Sequence, residues 1–166
     1  VTYDEIDAIR KETDVELEVF IHGALCCGQS GSCLFSSWMG GWSGNRGRCK
    51  QPCRRRYFSD EGNGFFFSPK DLYSLEDLPR LVDMGIASLK IEGRMRRPDY
   101  VHNVVTAYRM MLDAAPEDRA KTLPEAKRIL AQALGRKWTS PFRGDDDFSD
   151  TIQHRAMGTS GRLIGT

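Results

Sequence analysis

Five cysteines lie between Cys26 and Cys53 of this 166-residue chain, and the rest of the chain has none. Four of them, Cys26, Cys33, Cys49 and Cys53, are separated by six, fifteen and three residues. Glycine and serine surround them, which is typical of a loop rather than of a packed helix or strand. Thiolates gathered in one loop indicate either a bound soft metal or a disulfide framework.

The type and spacing of these four residues favour an iron–sulfur cluster over zinc. Four cysteines fill all four iron positions of a cubane cluster. Structural zinc prefers two short C-x₂₋₄-C pairs, and only Cys49 and Cys53 approach that spacing. A zinc site, or four cysteines without metal, are the alternatives. A cluster with four cysteine ligands has no open iron site, which favours electron transfer or structural support over activation of a substrate at iron.

Composition sets few limits on function. The net charge of +1, with 40% hydrophobic and 28% charged residues, is ordinary for a globular domain and attracts neither nucleic acid nor membrane as a whole. Apolar stretches fall far short of the ~20 residues that span a bilayer. No signal-peptide pattern opens the chain, and both ends look truncated. We therefore expect a cytoplasmic protein, in which reduced thiols bind metal rather than pair.

Hydrophobic patterning predicts strands and helices in the order of a parallel α/β unit. A capping box at Thr2 and Glu5 predicts the first helix, and a loop without sustained periodicity follows at residues 22–57. The predicted strands are residues 16–21, 65–67 and 86–91. Later helices are predicted to begin at Ser74, Pro98 and Thr122, the last ending near Gly135. Their predicted buried faces are Leu75, Leu78, Leu81 and Val82, then Val101, Val104, Val105, Tyr108, Met111 and Leu112.

Charged residues near two predicted strands are candidate catalytic and binding groups. His22 follows the first strand, where α/β barrels place active sites, and is a candidate acid–base group or an anchor for the loop. Glu18, four residues earlier, is predicted to share its face and to assist it. Lys90, Glu92 and Arg94 alternate at the end of another strand. They predict either an anion-binding group or a layer of salt bridges.

A basic run passes through the last two clustered cysteines. It predicts contacts to an RNA backbone, with neighbouring aromatic rings stacking on bases, or else an ordinary solvated loop. Arg46, at its start, is a candidate substrate-binding residue. The run is Arg46, Arg48, Lys50, Arg54, Arg55 and Arg56, and the rings are Trp38, Trp42 and Tyr57.

Four ordered blocks of the sequence resemble the signature of the peptidase U32 family. Its pattern runs Glu-x-Phe, two residues, Gly-Ala-Leu-Cys, four residues, Gly-x-Cys-x-apolar-Ser, and every fixed position is met. The pattern needs only the first cysteine of the Cys26-Cys27 doublet, so Cys27 is a departure. The blocks are residues 18–26 (EVFIHGALC) with 30–36 (SGSCLFS), 45–54 (NRGRCKQPCR), 88–95 (SLKIEGRM) and Tyr108-Arg109.

The resemblance implies a cofactor and a fold. In relatives of this kind cysteines ligate a [4Fe–4S] cluster, which implies Cys26, Cys33, Cys49 and Cys53 as its ligands. Residues 1–142 are expected to form the second half of a (β/α) TIM-like barrel with a long cysteine-rich loop. Residues 143–166 are expected to form a linker and the start of a truncated β-domain.

The resemblance also implies several activities. Members hydroxylate a tRNA uridine with prephenate, hydroxylate an rRNA cytidine, serve anaerobic ubiquinone synthesis, or carry the label of collagenase-like peptidases. The truncated β-domain favours the RNA-modifying members, so we expect hydroxylation of tRNA or rRNA with an acidic co-substrate such as prephenate. A peptidase with Cys26 or Cys27 as nucleophile and His22 as base is one alternative. A non-catalytic iron–sulfur accessory, acting with a partner protein or as a homo-oligomer, is another.

Overall fold

The computed structural model describes residues 1–143 and 151–152. Three short 3₁₀ turns, Gly44–Arg46, Pro52–Arg54 and Pro116–Asp118, accompany the helices and strands. The helices are α1 (Tyr3–Glu12), α2 (Phe35–Trp38), α3 (Leu78–Asp83), α4 (Pro98–Asp113) and α5 (Arg119–Leu130). The strands are β1 (Glu18–Ala24), β2 (Tyr57–Ser59), β3 (Gly62–Gly64), β4 (Asp71–Tyr73), β5 (Ser88–Ile91) and β6 (Trp138–Thr139).

Four strands form a mixed sheet in the order β5-β1-β4-β6. β1 is parallel to β5 and β4 is parallel to β6, but β1 and β4 are antiparallel. The prediction of an α/β fold with parallel strand pairs is confirmed, although the sheet is not parallel throughout as in a TIM-like barrel. Because of these directions, the carboxyl ends of β1 and β5 lie at the same edge as the first residues of β4 and β6. The cysteine loop leaves the sheet at that edge.

Some predicted elements match the structure closely. The Thr2–Glu5 capping box is present, with both of its reciprocal hydrogen bonds, and α1 follows it. Pro98 opens α4 as predicted. Gly85 adopts a positive φ of 69° directly after α3, as expected of a residue that ends a helix. Local chemistry alone is sufficient at these points, because each depends on residues a few positions apart.

Other predicted elements are wrong. Residues 65–67 form no strand, since Phe66 and Phe67 lie in a turn after the small β2–β3 hairpin. The strand of the main sheet is β4, which begins at Asp71, a residue type that is depleted in strands. α3 begins at Leu78 rather than near Ser74, and α5 begins three residues before Thr122.

The core lies between the sheet and the helices. Leu75, Leu81, Val104 and Leu130 are fully buried, whereas Val82 is 44% exposed, contrary to its predicted place in the core. The predicted core residues Val101 and Val105 of α4 are likewise exposed.

Tyr108 connects α4 to the sheet. Its hydroxyl donates to the carbonyl of Ile21 in β1 (2.8 Å) and accepts the backbone N–H of Ser74 (3.1 Å). The tyrosine therefore fixes the middle of β1, the strand that leads into the cysteine loop, against the longest of the described helices. None of the helices within residues 1–143 is long and apolar enough to cross a membrane. The predicted linker and β-domain at residues 143–166 lie almost entirely outside the described residues.

Candidate functional site

The first two predicted ligands, Cys26 and Cys33, face each other across Gly28. A Cβ atom placed on Gly28 would lie 3.7 Å from the sulfur of Cys26 and 3.5 Å from that of Cys33. The backbone N–H of Gly28 donates to the Cys26 sulfur at 3.4 Å. Both sulfur atoms therefore lie beside the same glycine, and a side chain at this position would press on Cys33, whose Cβ would be 3.2 Å away.

Cys49 accepts two hydrogen bonds through its sulfur atom. The donors are the backbone N–H of Gln51 (3.3 Å) and the hydroxyl of Ser36 (3.7 Å), and Ser36 in turn accepts the backbone N–H of Lys50 (3.0 Å). Gln51 adopts a left-handed φ of 51°, which is uncommon for a side chain of this type. Strained backbone of this kind persists where surrounding structure fixes it, often at functional sites. Donors aimed at a cysteine sulfur suit a thiolate ligand.

Cys27, which the signature does not require, contacts Cys53. The hydrogen bond from Cys53, together with the nearby positive charge of Arg54, lowers the pKa of the Cys27 thiol to about 6, against a partial opposing effect of burial. The same hydrogen bond and burial raise the pKa of Cys53. The contact with Cys53 and the charge of Arg54 therefore both favour the thiolate form of Cys27. The doublet gives the loop a fifth candidate ligand.

The cysteine loop fits a thiolate-bound metal in its chemistry. All five cysteines are free thiols in one loop, and the sulfur atoms of Cys26 and Cys49 accept backbone N–H groups. Within residues 1–143 and 151–152, no three histidine, cysteine or acidic side chains already stand in metal-binding geometry. A metal would therefore have to draw the two halves of the loop together. The predicted ligand set stays a prediction.

A buried charged group lies at the sheet edge beneath this loop. Asp71, at the start of β4, is 1% exposed. Its carboxylate accepts the side chain of Arg136 at 2.7 Å, the backbone N–H of Arg136 at 3.2 Å and the side chain of Arg96 at 2.6 Å. Arg96 also lies 4.6 Å from the centre of the Tyr100 ring. These residues come from three separate segments of the chain, and hydrophobic patterning gives no signal for them.

His22 lies within reach of this group but is buried. Its ring is 1% exposed, and its Nδ1 atom lies 3.3 Å from the hydroxyl of Tyr108. Burial lowers the pKa of His22 from 6.5 to about 4, with the charge of Asp71 opposing the shift and that of Arg96 adding to it. The imidazole is therefore neutral at pH 7. A buried, neutral His22 suits the role of an anchor for the cysteine loop, which is one of the two roles that the sequence suggests. Its role as an acid–base group stays a prediction.

Glu18 does not share the environment of His22. The register of β1 against β5 shifts between Phe20 and His22, so the period-two rule that predicted a shared face fails there. Glu18 is exposed, accepts a hydrogen bond from Ser88 at 2.8 Å and forms an ion pair with Lys90 at 2.5 Å. These two bonds lower the pKa of Glu18.

The predicted anion-binding residues are dispersed. Lys90 pairs with Glu18 near the start of β1, whereas the Glu92 carboxylate accepts the backbone N–H of Arg94 at 3.2 Å. Arg94 itself reaches the cysteine loop, where its side chain donates to the carbonyl of Gly47 at 3.4 Å. Arg46, one residue before Gly47, is exposed. Of the predicted binding residues, Arg46 belongs to the cysteine loop and Arg94 contacts its backbone, whereas Lys90 belongs to a surface ion pair.

The outer face of the loop carries cations and aromatic rings. Lys50 and Arg48 lie over the Trp42 ring, 4.3 and 5.3 Å from its centre. Trp38 is 81% exposed. Tyr57 instead packs beside Phe35 in a stack 5.9 Å between ring centres, so it supports the loop from within. Exposed rings flanked by cations suit stacking on nucleic-acid bases.

The fold and the site together define an α/β protein in which a loop with five free cysteines leaves one edge of a mixed sheet. Comparison with known sequences identifies its family. The model for "Peptidase family U32" matches residues 1–153. The chain therefore belongs to the peptidase U32 family.

Curated relatives carry names of two kinds. The chain is 42% identical over 123 residues to "tRNA hydroxylation protein P1" of Bacillus subtilis, a match that covers 66% of this chain and 29% of that protein. It is 45% identical over 123 residues to "23S rRNA 5-hydroxycytidine C2501 synthase" of Escherichia coli, covering 70% and 19% respectively. A "Collagenase" of Porphyromonas gingivalis is 41% identical over 107 residues, covering 60% and 30%. The chain thus spans less than a third of the length of each of these three relatives. No solved structure matches significantly.

Proposed function

We propose that this chain is the cysteine-bearing part of an iron–sulfur protein that takes part in hydroxylation of tRNA or rRNA. The observation that carries the proposal is the loop itself, in which free thiols that accept N–H groups lie next to exposed cations and rings. The names of the two RNA-related relatives support the choice of substrate. We further propose that the mixed sheet forms part of a (β/α) barrel, as the resemblance implies.

In this proposal Cys26, Cys33, Cys49 and Cys53 hold the metal, and Cys27 lies beside Cys53. A [4Fe–4S] cluster bound there would supply one-electron redox chemistry. Zinc is the alternative, and it would supply structural support only.

The loop's own side chains orient the substrates. Trp42, with Lys50 over its ring, would stack on a base and contact its phosphate. Arg94 and Arg46 would bind an acidic co-substrate such as prephenate on the side of the loop nearest the sheet, with Glu92 fixing the Arg94 backbone. The predicted part of Lys90 in this site requires its release from Glu18.

The test of the RNA function uses a strain in which the gene is deleted. We expect mass spectrometry of its tRNA and rRNA nucleosides to show the loss of one hydroxylated nucleoside, restored by the full-length wild-type gene but not by Cys53→Ser. Ser30→Ala serves as the control, because Ser30 is an exposed residue of the same loop to which the proposal gives no part. An unchanged nucleoside profile would contradict the proposal.

The metal is tested separately on protein purified without oxygen. We expect a brown colour, broad absorbance near 400 nm that bleaches on reduction, and iron with acid-labile sulfide, on the order of four of each per chain. Zinc in place of iron would assign the alternative. Colourless, metal-free protein would remove the cofactor from the proposal.

Proteolysis is the second candidate, because one relative is named a collagenase. The geometry supports it less well, since the His22 ring is hydrogen-bonded to Tyr108 and neutral, not paired with a cysteine. Cleavage of gelatin by the purified full-length protein, abolished in Cys26→Ser or Cys27→Ser, would establish it. A stable partner that copurifies, with no change in RNA or gelatin, would instead indicate an accessory role.

A further inference from the structure

Arg54 differs from every other member of the basic run because it is buried. Its side chain is 8% exposed, whereas Arg55 and Arg56 beside it are exposed. One terminal nitrogen of Arg54 donates to the carbonyl oxygen of Leu25. The other donates to the hydroxyl of Ser68 (3.2 Å) and to the carbonyl oxygen of Pro69.

These contacts join the two ends of the cysteine loop. Leu25 immediately precedes the first cysteine, and Arg54 immediately follows the last. Ser68 and Pro69 lead into β4, so the same guanidinium also ties both ends of the loop to the sheet. Closing a loop of this length costs chain entropy. A planar guanidinium offsets that cost well, because its rigid fork of donors can hold several carbonyls at once, which a lysine ammonium cannot do with the same geometry.

The charge of Arg54 also faces the thiols. Its three hydrogen-bond acceptors are uncharged, and the nearby carboxylate of Asp71 is already bound by Arg96 and Arg136. Burial lowers the pKa of Arg54, but a guanidinium stays protonated in proteins, and its charge lies beside Cys53, where a thiolate ligand would be negative.

We infer that Arg54 is a positioning residue, which closes the cysteine loop before any metal binds and holds its first and last thiols in register. The inference rests on the metal site of the proposed function for its consequence, but loop closure is a property of the chain without metal. It separates Arg54 from the residues of the basic run that would contact RNA.

The test compares Arg54→Gln, which removes the charge and the fork, with Arg54→Lys, which keeps only the charge. Arg55→Gln is the matched control, because it removes the same charge from an exposed neighbour. Ser68→Ala, which deletes a single acceptor, is a milder variant that keeps the inference testable if Arg54→Gln does not fold. Each full-length protein is prepared without metal, and its thiols are titrated with Ellman's reagent. Zn²⁺ affinity and iron incorporation, followed by absorbance, are then measured.

In Arg54→Lys, which keeps the positive charge that favours thiolate, we expect the partly buried thiols of Cys33, Cys49 and Cys53 to react several-fold faster than in wild type. Ser68→Ala should lie between wild type and Arg54→Lys. In Arg54→Gln the same thiols become more accessible but lose the favourable charge, so the increase should be smaller. We expect Arg54→Gln to lose about 10- to 100-fold in Zn²⁺ affinity, as when residues that orient metal ligands are removed. Arg54→Lys should recover part of the affinity but not the slow thiol reaction. Arg55→Gln should match wild type in both assays.

The outcomes separate this inference from the proposed function. Wild-type thiol rates in both Arg54 variants would overturn it, whether or not the protein binds metal. Faster thiol reaction in a protein that binds no metal would support loop closure by Arg54 while contradicting the cofactor. Equal losses in Arg54→Gln and Arg55→Gln would assign the effect to net charge and overturn the positioning role.

Discussion

Lowering the pH should destabilise this protein through His22. The ring is almost completely buried, and its burial lowers the pKa in the folded state to about 4 from the ordinary 6.5. Between these values the unfolded chain binds a proton that the folded chain does not. The free energy of unfolding therefore falls as the pH drops below about 6.5, and the loss is complete below about 4.

The size of this effect follows from the shift. One pKa unit corresponds to about 1.4 kcal/mol, so a shift from 6.5 to about 4 amounts to roughly 3 kcal/mol at most. Between pH 7 and pH 5 the contribution of His22 to stability should fall by about 2 kcal/mol. Such a loss is a large fraction of the stability of a typical domain.

The assay is urea denaturation of the wild type, His22→Gln and His102→Gln from pH 7 to pH 5. Glutamine keeps a polar partner for Tyr108 but does not titrate, so His22→Gln should be less stable at pH 7 and lose about 2 kcal/mol less than wild type on acidification. His102, exposed on α4, is the matched control, and its variant should follow the wild-type pH dependence. Parallel curves for wild type and His22→Gln would refute the assignment of a buried neutral imidazole.

Two substitutions test the sheet edge that supports the site. Asp71→Asn leaves Arg96 and Arg136 without their carboxylate, and we expect urea denaturation to show a free energy of unfolding lower by about 3–5 kcal/mol. The control, Asp113→Asn, breaks an exposed ion pair of α4 and should cost about 0.5 kcal/mol or less. Equal losses in the two variants would show that the buried ion pairs stabilise the fold no more than an exposed one. Gly23→Ala places a Cβ 2.4 Å from the Glu92 carbonyl at a φ of 107°, so we expect lower stability, and faster hydrogen exchange in residues 92–96, than in Gly62→Ala, where φ is 144° but no atom lies within 4 Å. Equal stability and equal hydrogen exchange in the two glycine variants would mean that the close approach of Gly23 to the Glu92 carbonyl does not restrict the residue at position 23.

Much of the local structure is predictable because short-range chemistry decides it. The capping box at Thr2, the proline that opens α4 and Gly85 after α3 each act through neighbours in sequence, so their patterns survive folding unchanged. The long irregular loop is predictable for a similar reason, since glycine, serine and cysteine offer no continuous apolar face. The family resemblance identified the same loop as the place where thiols gather.

Predictions that depended on an uninterrupted strand were less successful. Alternation of side chains along a regular strand predicts that Glu18 and His22 share a face, but a single register shift in β1 separates the exposed carboxylate of Glu18 from the buried imidazole of His22. β4 was missed because three residues that begin with aspartate carry too little hydrophobic pattern. Both errors have one origin, which is that pairing with neighbouring strands, rather than local preference, determines where a short strand lies.

The sequence by itself determined the type of chemistry available, since five thiols, a run of cations and several aromatic rings are present in one loop whatever the chain folds into. Only the tertiary structure decided which of these side chains act together. It assigned Cys27 to Cys53, paired Lys90 with Glu18, and buried Arg54 between the two ends of the loop. The reason is that residues distant in sequence meet only where strands and helices pack, and burial then turns an ordinary surface arginine into a structural contact.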